Sequence, residues 1–312
     1  MSRLVEITHR LTSMNELADI VGAMRSLAGM RMQEAQQALI GVGTYVDSMT
    51  RALGMALSLD QSSGSDTGGL RGHRILVLCG AEHGFVGGFN DRLLESAVQV
   101  LQHGDELFVI GARAAAVALE RGVAMAWSGS MATHAAAASD SVARPIRELY
   151  RRLARAEVLG LAVMYARARP GNSLEVTHRS LLPIDRAAFP AAVPRSPPLH
   201  QLAPGVLVQR FIAEYLYAIL TEAAVESIAA ENAARLAAME AARENVDRKL
   251  ESLREQSRQA RQTEITDELL DLITGTEAAD PPTARTYSAR TERSTGRETS
   301  TPTSSRAPSA CS

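Results

Sequence analysis

Four glycines, Gly80, Gly84, Gly87 and Gly88, follow a short apolar run and precede a helical pattern. In that setting the backbone N–H groups at a helix start can cradle a phosphate. The spacing is G-x3-G-x2-G-G, which matches neither the G-x-G-x-x-G of a dinucleotide site nor a loop ending in Lys-Ser/Thr. At the end of the next apolar run, Gly111-Ala112-Arg113 supplies no acidic residue to hold a ribose. A tight turn with close helix–strand packing is therefore the expected role of the loop. His83 lies in it, yet no carboxylate or nucleophile is arranged with it, and the adjacent Glu82 is expected to point elsewhere. His83 is expected at the surface. The other histidines (His9, His73, His103, His134, His178, His200) are dispersed without metal-ligand spacing, and Cys79 has no cysteine neighbour. Trp127 and the scattered tyrosines form no stacking platform for a nucleic acid. The expectation is no catalytic residue, no cofactor, no metal and no nucleic-acid partner.

The elements that would hold such a loop are unusual. From Leu4 to Leu57 there is no proline. Apolar residues fall at Leu4, Ile7, Leu11 and Met14, then at Leu17, Ile20, Met24 and Leu27. Each set has the 3–4 spacing of a coiled-coil seam, and the join between them resembles a stammer. Gln61 to Gly72 is a polar Gly/Ser-rich linker. Strand-like runs follow at 74–79, 106–111, 123–129, 158–168 and 173–183, the last two joined by the Pro170-Gly171-Asn172 turn. Helical patterns intervene at Asn90–Leu101, from Gly111 to Glu120, and at Asp140–Ala156, with Asp140 as N-cap. Alternating strands and helices imply an α/β unit with a mostly parallel sheet and one antiparallel edge. A proline-rich connector, Phe189–Pro204, leads to a second long helical stretch, with Pro204 at its first turn and Gly275 as its C-cap. Met239, Val246, Leu250, Leu253 and Ala260 keep 3–4 spacing there. Arg235, Glu240, Arg243, Glu244, Asp247, Arg248, Glu251 and Arg254 carry the mixed charge of a solvated exterior. Glu277–Ser312 has almost nothing large and apolar and is expected to be disordered.

The fold expected is α/β plus coiled coil: an antiparallel pair of long N- and C-terminal helices with an inserted Rossmann-like α/β domain. The boundaries are 1–60 for the first helix, 73–190 for the α/β domain, 204–276 for the last helix and 277–312 for the tail. The last helix, roughly 100 Å long at 1.5 Å per residue, is expected to reach past its partner. In a chain of 312 residues, 46% apolar, a sizeable core is possible. A formal charge of −2 gives no reason to expect nucleic acid or an anionic membrane. Lys249 is the single lysine. Cys79 sits in a predicted buried strand and Cys311 in the polar tail, so a structural disulfide is not expected and a reducing compartment is. No apolar run has the length of a bilayer span, and MSRLVEITHR lacks the apolar core of a signal peptide. The chain is expected in the cytosol, or on a membrane only through partners. Short of catalytic constellations and long on coiled coil, it reads as a mechanical or scaffolding part. A dinucleotide-dependent enzyme and an unrelated coiled-coil scaffold are the rival readings.

Three parts of the chain carry a resemblance, the last helix through two segments. Ile20–Gln36 (IVGAMRSLAGMRMQEAQ) is similar to I-T-K-A-M-x-x-V-A-x-x-K-x-x-x-A, and Gly80–Asn90 (GAEHGFVGGFN) to T-D-R-G-L-C-G-G-L-N. Glu231–Asp247 and Ala260–Leu269 (ARQTEITDEL) are similar to S-E-x-x-A-R-M-x-A-M-x-x-A-x-x-N and A-R-Q-x-x-I-T-x-E-L. These motifs belong to the gamma subunit of F-type ATP synthases, which the chain resembles from Met1 to Gly275. The resemblance implies a non-catalytic rotor shaft inside a ring of alpha and beta subunits, seated on the c-ring with the epsilon subunit. It would lie at the cytoplasmic face of a bacterial inner membrane, peripheral and held through the complex. It implies subunit-interface roles for Met24, Arg31, Gly87, Gly88, Arg235, Met239, Arg261, Gln262, Thr266 and Glu268, with Arg261 and Gln262 against beta-subunit loops. The departures are Gly22 and Arg31 for two lysines, Glu82-His83 for Asp-Arg, His200-Gln201-Leu202 for Tyr-Glu-Pro, and the extra tail. They suggest a divergent branch, with the alternate sodium-pumping F-type ATPases as the candidate.

Overall fold

The computed structural model describes residues 3–59, 72–155, 158–169, 173–189 and 199–279, with side chains through 274. The predicted linker before Gly72, the 170–172 turn, most of the proline-rich connector, and the tail from 280 with Cys311 lie outside the described residues. Residues up to Arg258 form one body and those from Gln259 a second.

Helix α1 (Arg3–Leu59) and helix α5 (Pro204–Ala279) bracket the chain. Between them come β1 (His73–Cys79), α2 (Phe89–Val100), β2 (Glu106–Ile110), α3 (Ala112–Glu120), β3 (Trp127–Gly129), α4 (Ala138–Leu153), β4 (Val158–Arg169) and β5 (Ser173–Leu182). One sheet runs in the order β3-β2-β1-β4-β5. β1 lies parallel to β2 and β4, β2 parallel to β3, and β5 antiparallel to β4. The expected layered unit with one antiparallel edge is the one observed.

Period-2 alternation sorts β1 between two cores. Ile75, Val77 and Cys79 face α4, the end of α1 and α5, while Leu76 and Leu78 face α2 and α3. A strand buried on both sides reads as the continuous apolar run seen at 74–79. Burial pushes the Cys79 thiol up to about 12, so this cysteine is inert.

Three local expectations are corrected. Asp140 is not an N-cap. A 3-10 turn at Ala135–Ala137 runs straight into α4, whose cap position is Ala137, and Asp140 sits in the first turn, where a carboxylate still favours the helix dipole. The run 123–129 yields only the three-residue β3, because Val123 donates its N–H to Ala118 and closes α3 instead. Gly275 does not end α5, which continues to Ala279. An interior glycine lowers helix stability by only ~1 kcal/mol, and Glu277 and Ala278 are good helix formers.

The seam of α1 is also different. Ile7, Ala18, Val21, Ala28 and Ala35 are buried, and Leu11 and Met14 pack with Ala18 against Val246 and Leu250 of α5. These positions keep one register with steps of four and three, so there is no stammer. Leu17, Leu27 and Ile20, the last 57% exposed, lie on the outside. Small seam residues let the α5 side chains come close. The pairing is antiparallel: Tyr45 donates its hydroxyl to Glu214, and Gly22 lies beside Arg243, whose Nη1 would be 3.6 Å from an added Cβ. Burial first, then Glu214, pushes Tyr45 up to about 12.

Gly41 and Gly43 lie inside α1, and an added Cβ at either would meet nothing within 4 Å. Thr44 turns its hydroxyl back to the Ile40 carbonyl, which further softens the turn. Gly41→Ala is therefore expected to stabilise the protein by about 0.5–1 kcal/mol. Urea unfolding checks this, and a loss of stability would show that the glycine has a packing role.

Candidate subunit interface and the glycine loop

The glycine loop runs from Gly80 to Gly88 across the C-terminal ends of β1 and β2. Its first residues are tied down from every side. Gly80 donates to the Ile110 carbonyl (2.8 Å) and Ala81 to Asn90 Oδ1 (3.0 Å). The Ala81 carbonyl accepts from Ala114 N (3.1 Å). Glu82 turns inward, and its Oε2 accepts the N–H groups of Ala112 (2.9 Å) and Met131 (2.7 Å). The α3 N-terminus is thus occupied by a carboxylate, as its dipole favours.

Helix α5 closes the loop from the other side. Ser227 donates its hydroxyl to the Cys79 carbonyl (2.7 Å). Glu231 Oε2 accepts from Glu82 N (3.2 Å), and its Oε1 pairs with Arg235 Nη2 (2.5 Å). Arg235 also donates to Asn232 Oδ1 (3.0 Å) and to the Gly84 carbonyl (3.3 Å from Nη2). Ligands of doubly wound sheets bind where the strand order reverses, here between β1 and β4. That crevice is filled by Ser227 and Glu231, and the loop amide a phosphate would use is bonded to a carboxylate. The loop is a packing turn, in line with its spacing. Beyond β1, α5 also holds β4 through Arg167–Glu226 (3.2 Å) and the edge strand β5 through Arg179–Glu222 (3.6 Å). Burial raises the Glu226 carboxyl despite the opposing pull of Arg167.

The sequence-predicted interface residues fall into four groups. Gly87 and Gly88 are exposed at the start of α2, and His83 is exposed beside them. Met24 and Arg31 are half-buried on α1. Arg235 and Met239 are buried, which corrects the expectation of a solvated exterior for Arg235: its guanidinium serves the loop carbonyls of this same chain. Arg261, Gln262, Thr266 and Glu268 are exposed in the second body, with Thr266 bonded back to the Gln262 carbonyl. The structure brings Arg235 under the loop that carries Gly87 and Gly88.

A family model described as ATP synthase matches residues 3–279, from the start of α1 to the end of α5. The chain belongs to the ATP synthase gamma family. An ATP synthase gamma chain of Chlorobaculum tepidum is 24% identical over 295 residues, covering 89% of this chain and 99% of the relative. That of Paramagnetospirillum magneticum is 26% identical over 300 residues, covering 89% and 100%. Among solved structures, a chain of the Euglena gracilis mitochondrial ATP synthase (OSCP/F1/c-ring, rotational state 3) has the same fold, with a TM-score of 0.59 at 14% identity over 88% of this chain and 94% of that one. A chain of the rotor from the same organism gives 0.56 at 13% identity, covering 84% and 98%.

Two of the positions at which this chain departs from the gamma-family motifs can be placed in the structure. Gly22 lies beside the Arg243 side chain, which an added Cβ would meet at an ordinary contact distance of 3.6 Å. Glu82 is retained as a carboxylate because two N–H groups need it. Sequence reasoning missed Ser227, Glu231 and Asn232. The available signal was polar residues at 227, 231 and 235, four apart in an alanine-rich run, a single buried stripe. It also missed Phe85, which is 68% exposed at a φ of 61°.

Proposed function

We propose that this chain is the central rotor-stalk subunit of the F1 sector of an F-type ATP synthase. It would couple ion flow through the membrane ring to ATP synthesis or hydrolysis by turning inside the alpha and beta subunits. The observation that carries the reading is one family match running unbroken through both long helices and the inserted domain. The stalk is non-catalytic: nucleotide chemistry belongs to the partner subunits, and the crevice where the strand order reverses is filled by α5. Its partners are the alpha, beta and epsilon subunits and the c-ring. It sits peripherally at the cytoplasmic face of a bacterial inner membrane, and no described helix is long and apolar enough to cross one. The replacements at Gly22, Glu82-His83 and His200-Gln201-Leu202 support placing it in a divergent branch of that family.

Exposed large apolar side chains support enclosure by partners. α1 turns Leu17, Ile20, Leu27 and Met30 outward, and the second body exposes Ile265, Leu269, Leu272 and Ile273. Each shaft orientation would stabilise a different partner conformation, which is how a stalk drives a cycle without chemistry of its own.

Affinity purification of the tagged full-length chain tests this reading. Alpha and beta subunits should come with it, and their absence overturns the proposal. Titration calorimetry with NAD or ATP should give no heat, and micromolar binding would favour a nucleotide-dependent enzyme. Arg261→Ala should lower turnover of the assembled complex about tenfold, which is ~1.4 kcal/mol from one interface contact. The Tm of the isolated chain should stay unchanged, because Arg261 is exposed. Unchanged turnover would remove Arg261 from the contact.

A further inference from the structure

Glu231, Asn232 and Arg235 are buried polar side chains, 4%, 2% and 6% exposed, and together they act on one loop. Ser227, Glu231 and Arg235 stand on successive turns of α5. They meet successive points of the chain leaving β1: the Cys79 carbonyl, the Glu82 N–H, and the carbonyls of His83 (3.5 Å) and Gly84 (3.3 Å). Asn232 accepts from Arg235 Nη1 and fixes the plane of the guanidinium. The loop then emerges at Phe85, exposed and in the left-handed region. A phenylalanine stays there only when its surroundings hold it.

We propose that Arg235, supported by Glu231 and Asn232, is a latch that fixes the glycine loop to α5, so that Phe85 at the loop's tip turns with the helix as one rigid piece. Arg235 is a positioning residue: it touches the carbonyls on the N-terminal side of the tip and acts through them. A planar fork is needed, because one group must meet a carboxylate, an amide oxygen and two carbonyls at once. A lysine ammonium keeps the charge and loses that geometry. An ion pair present only to stabilise the core would have no reason to reach past Glu231 to the loop backbone. An anion is opposed at this loop by the Glu231 carboxylate on the Glu82 N–H and by the Glu82 carboxylate on the Ala112 N–H at the start of α3. The mechanical consequence rests on the stalk reading above; the attachment itself does not.

Hydrogen–deuterium exchange on the full chain, wild type against Arg235→Lys, tests the attachment. Exchange in peptides covering 82–88 should speed up about tenfold, with β1, β4 and α2 still protected. Unchanged loop exchange overturns the latch. So does an increase spread through the strands, which would make Arg235 a general core support. In the assembled complex, Arg235→Lys should lower the ratio of gradient-driven synthesis to ATP hydrolysis about fivefold. A merely destabilised stalk would lose both activities in parallel, and that outcome, or an unchanged ratio, refutes the mechanical role. If the wild-type chain assembles with no alpha or beta subunit, the stalk reading fails while the exchange result still decides the latch.

Discussion

Gly111→Ala should destabilise the protein by about 4 kcal/mol, lowering its Tm by roughly 10 °C. Gly111 ends β2 at a φ of 124°, a conformation that L side chains rarely adopt. Holding an alanine there costs ~1–3 kcal/mol. An added Cβ would also lie 2.6 Å from the Gly80 carbonyl oxygen and 2.7 Å from that of Ala81. Both are backbone atoms, so no flexible side chain can move aside. The Gly80 N–H is bonded to Ile110 and the Ala81 carbonyl to Ala114, so displacing them disturbs two further hydrogen bonds. Overpacking of this kind adds ~1–3 kcal/mol. Thermal melting monitored by circular dichroism checks the result. A shift smaller than that of a surface substitution would mean that the β1 and β2 ends separate more easily than their bonding implies. The same change at Gly41 should have the opposite sign, because Gly111 is enclosed by backbone and Gly41 faces open space.

Arg235→Met is the second large effect, with an expected loss of about 3–5 kcal/mol. The substitution leaves the Glu231 carboxylate buried without its cation and frees the Gly84 carbonyl. Most of the loss is the penalty on Glu231. Adding Glu231→Gln should therefore restore part of the stability, since the amide oxygen can still accept from Glu82 N without carrying a charge. A double-mutant cycle in urea reads the coupling, with about 2 kcal/mol expected for residues in direct contact. Additive losses would show that the two side chains stabilise the protein independently.

The places where sequence and structure agree share a physical cause. A parallel strand packed on both faces must be apolar throughout, so 74–79 and 158–168 announce themselves. Long stretches without proline, rich in alanine and leucine, announce helices. The α1 seam was harder. Ranking residues by size favours Leu17, Ile20 and Leu27, yet the partner helix meets Ala18, Val21 and Ala28, whose small side chains keep an unbroken four-three register. Size measures the gain from burial; it does not measure how close a neighbour comes. Arg235 was misplaced for a similar reason. Charge patterning along one helix sees mixed signs and infers solvent, whereas the carbonyls that bury this guanidinium come from a loop some 150 residues earlier. Arg261, Gln262, Thr266 and Glu268 were singled out only through the resemblance, because nothing local separates one exposed polar helix face from another.

The hydroxyl of Tyr45 meets Glu214 across 169 residues of sequence. That separation sets a timetable for synthesis. α1 leaves the ribosome first, carrying its buried-to-be stripe, and α5 begins only at Pro204. At ordinary elongation rates of 5–20 residues per second, the gap between the two helices lasts roughly 7–30 s. A lone helix whose stability depends on tertiary packing has no lasting structure over such an interval. The sheet face that carries Ile75, Val77 and Cys79 packs on α5 and the end of α1, so that core closes only once α5 has been made. The nascent chain is thus an early-exposed amphipathic segment tethered to a folding domain. The helix pair and the sheet core are therefore both completed only by the last long helix.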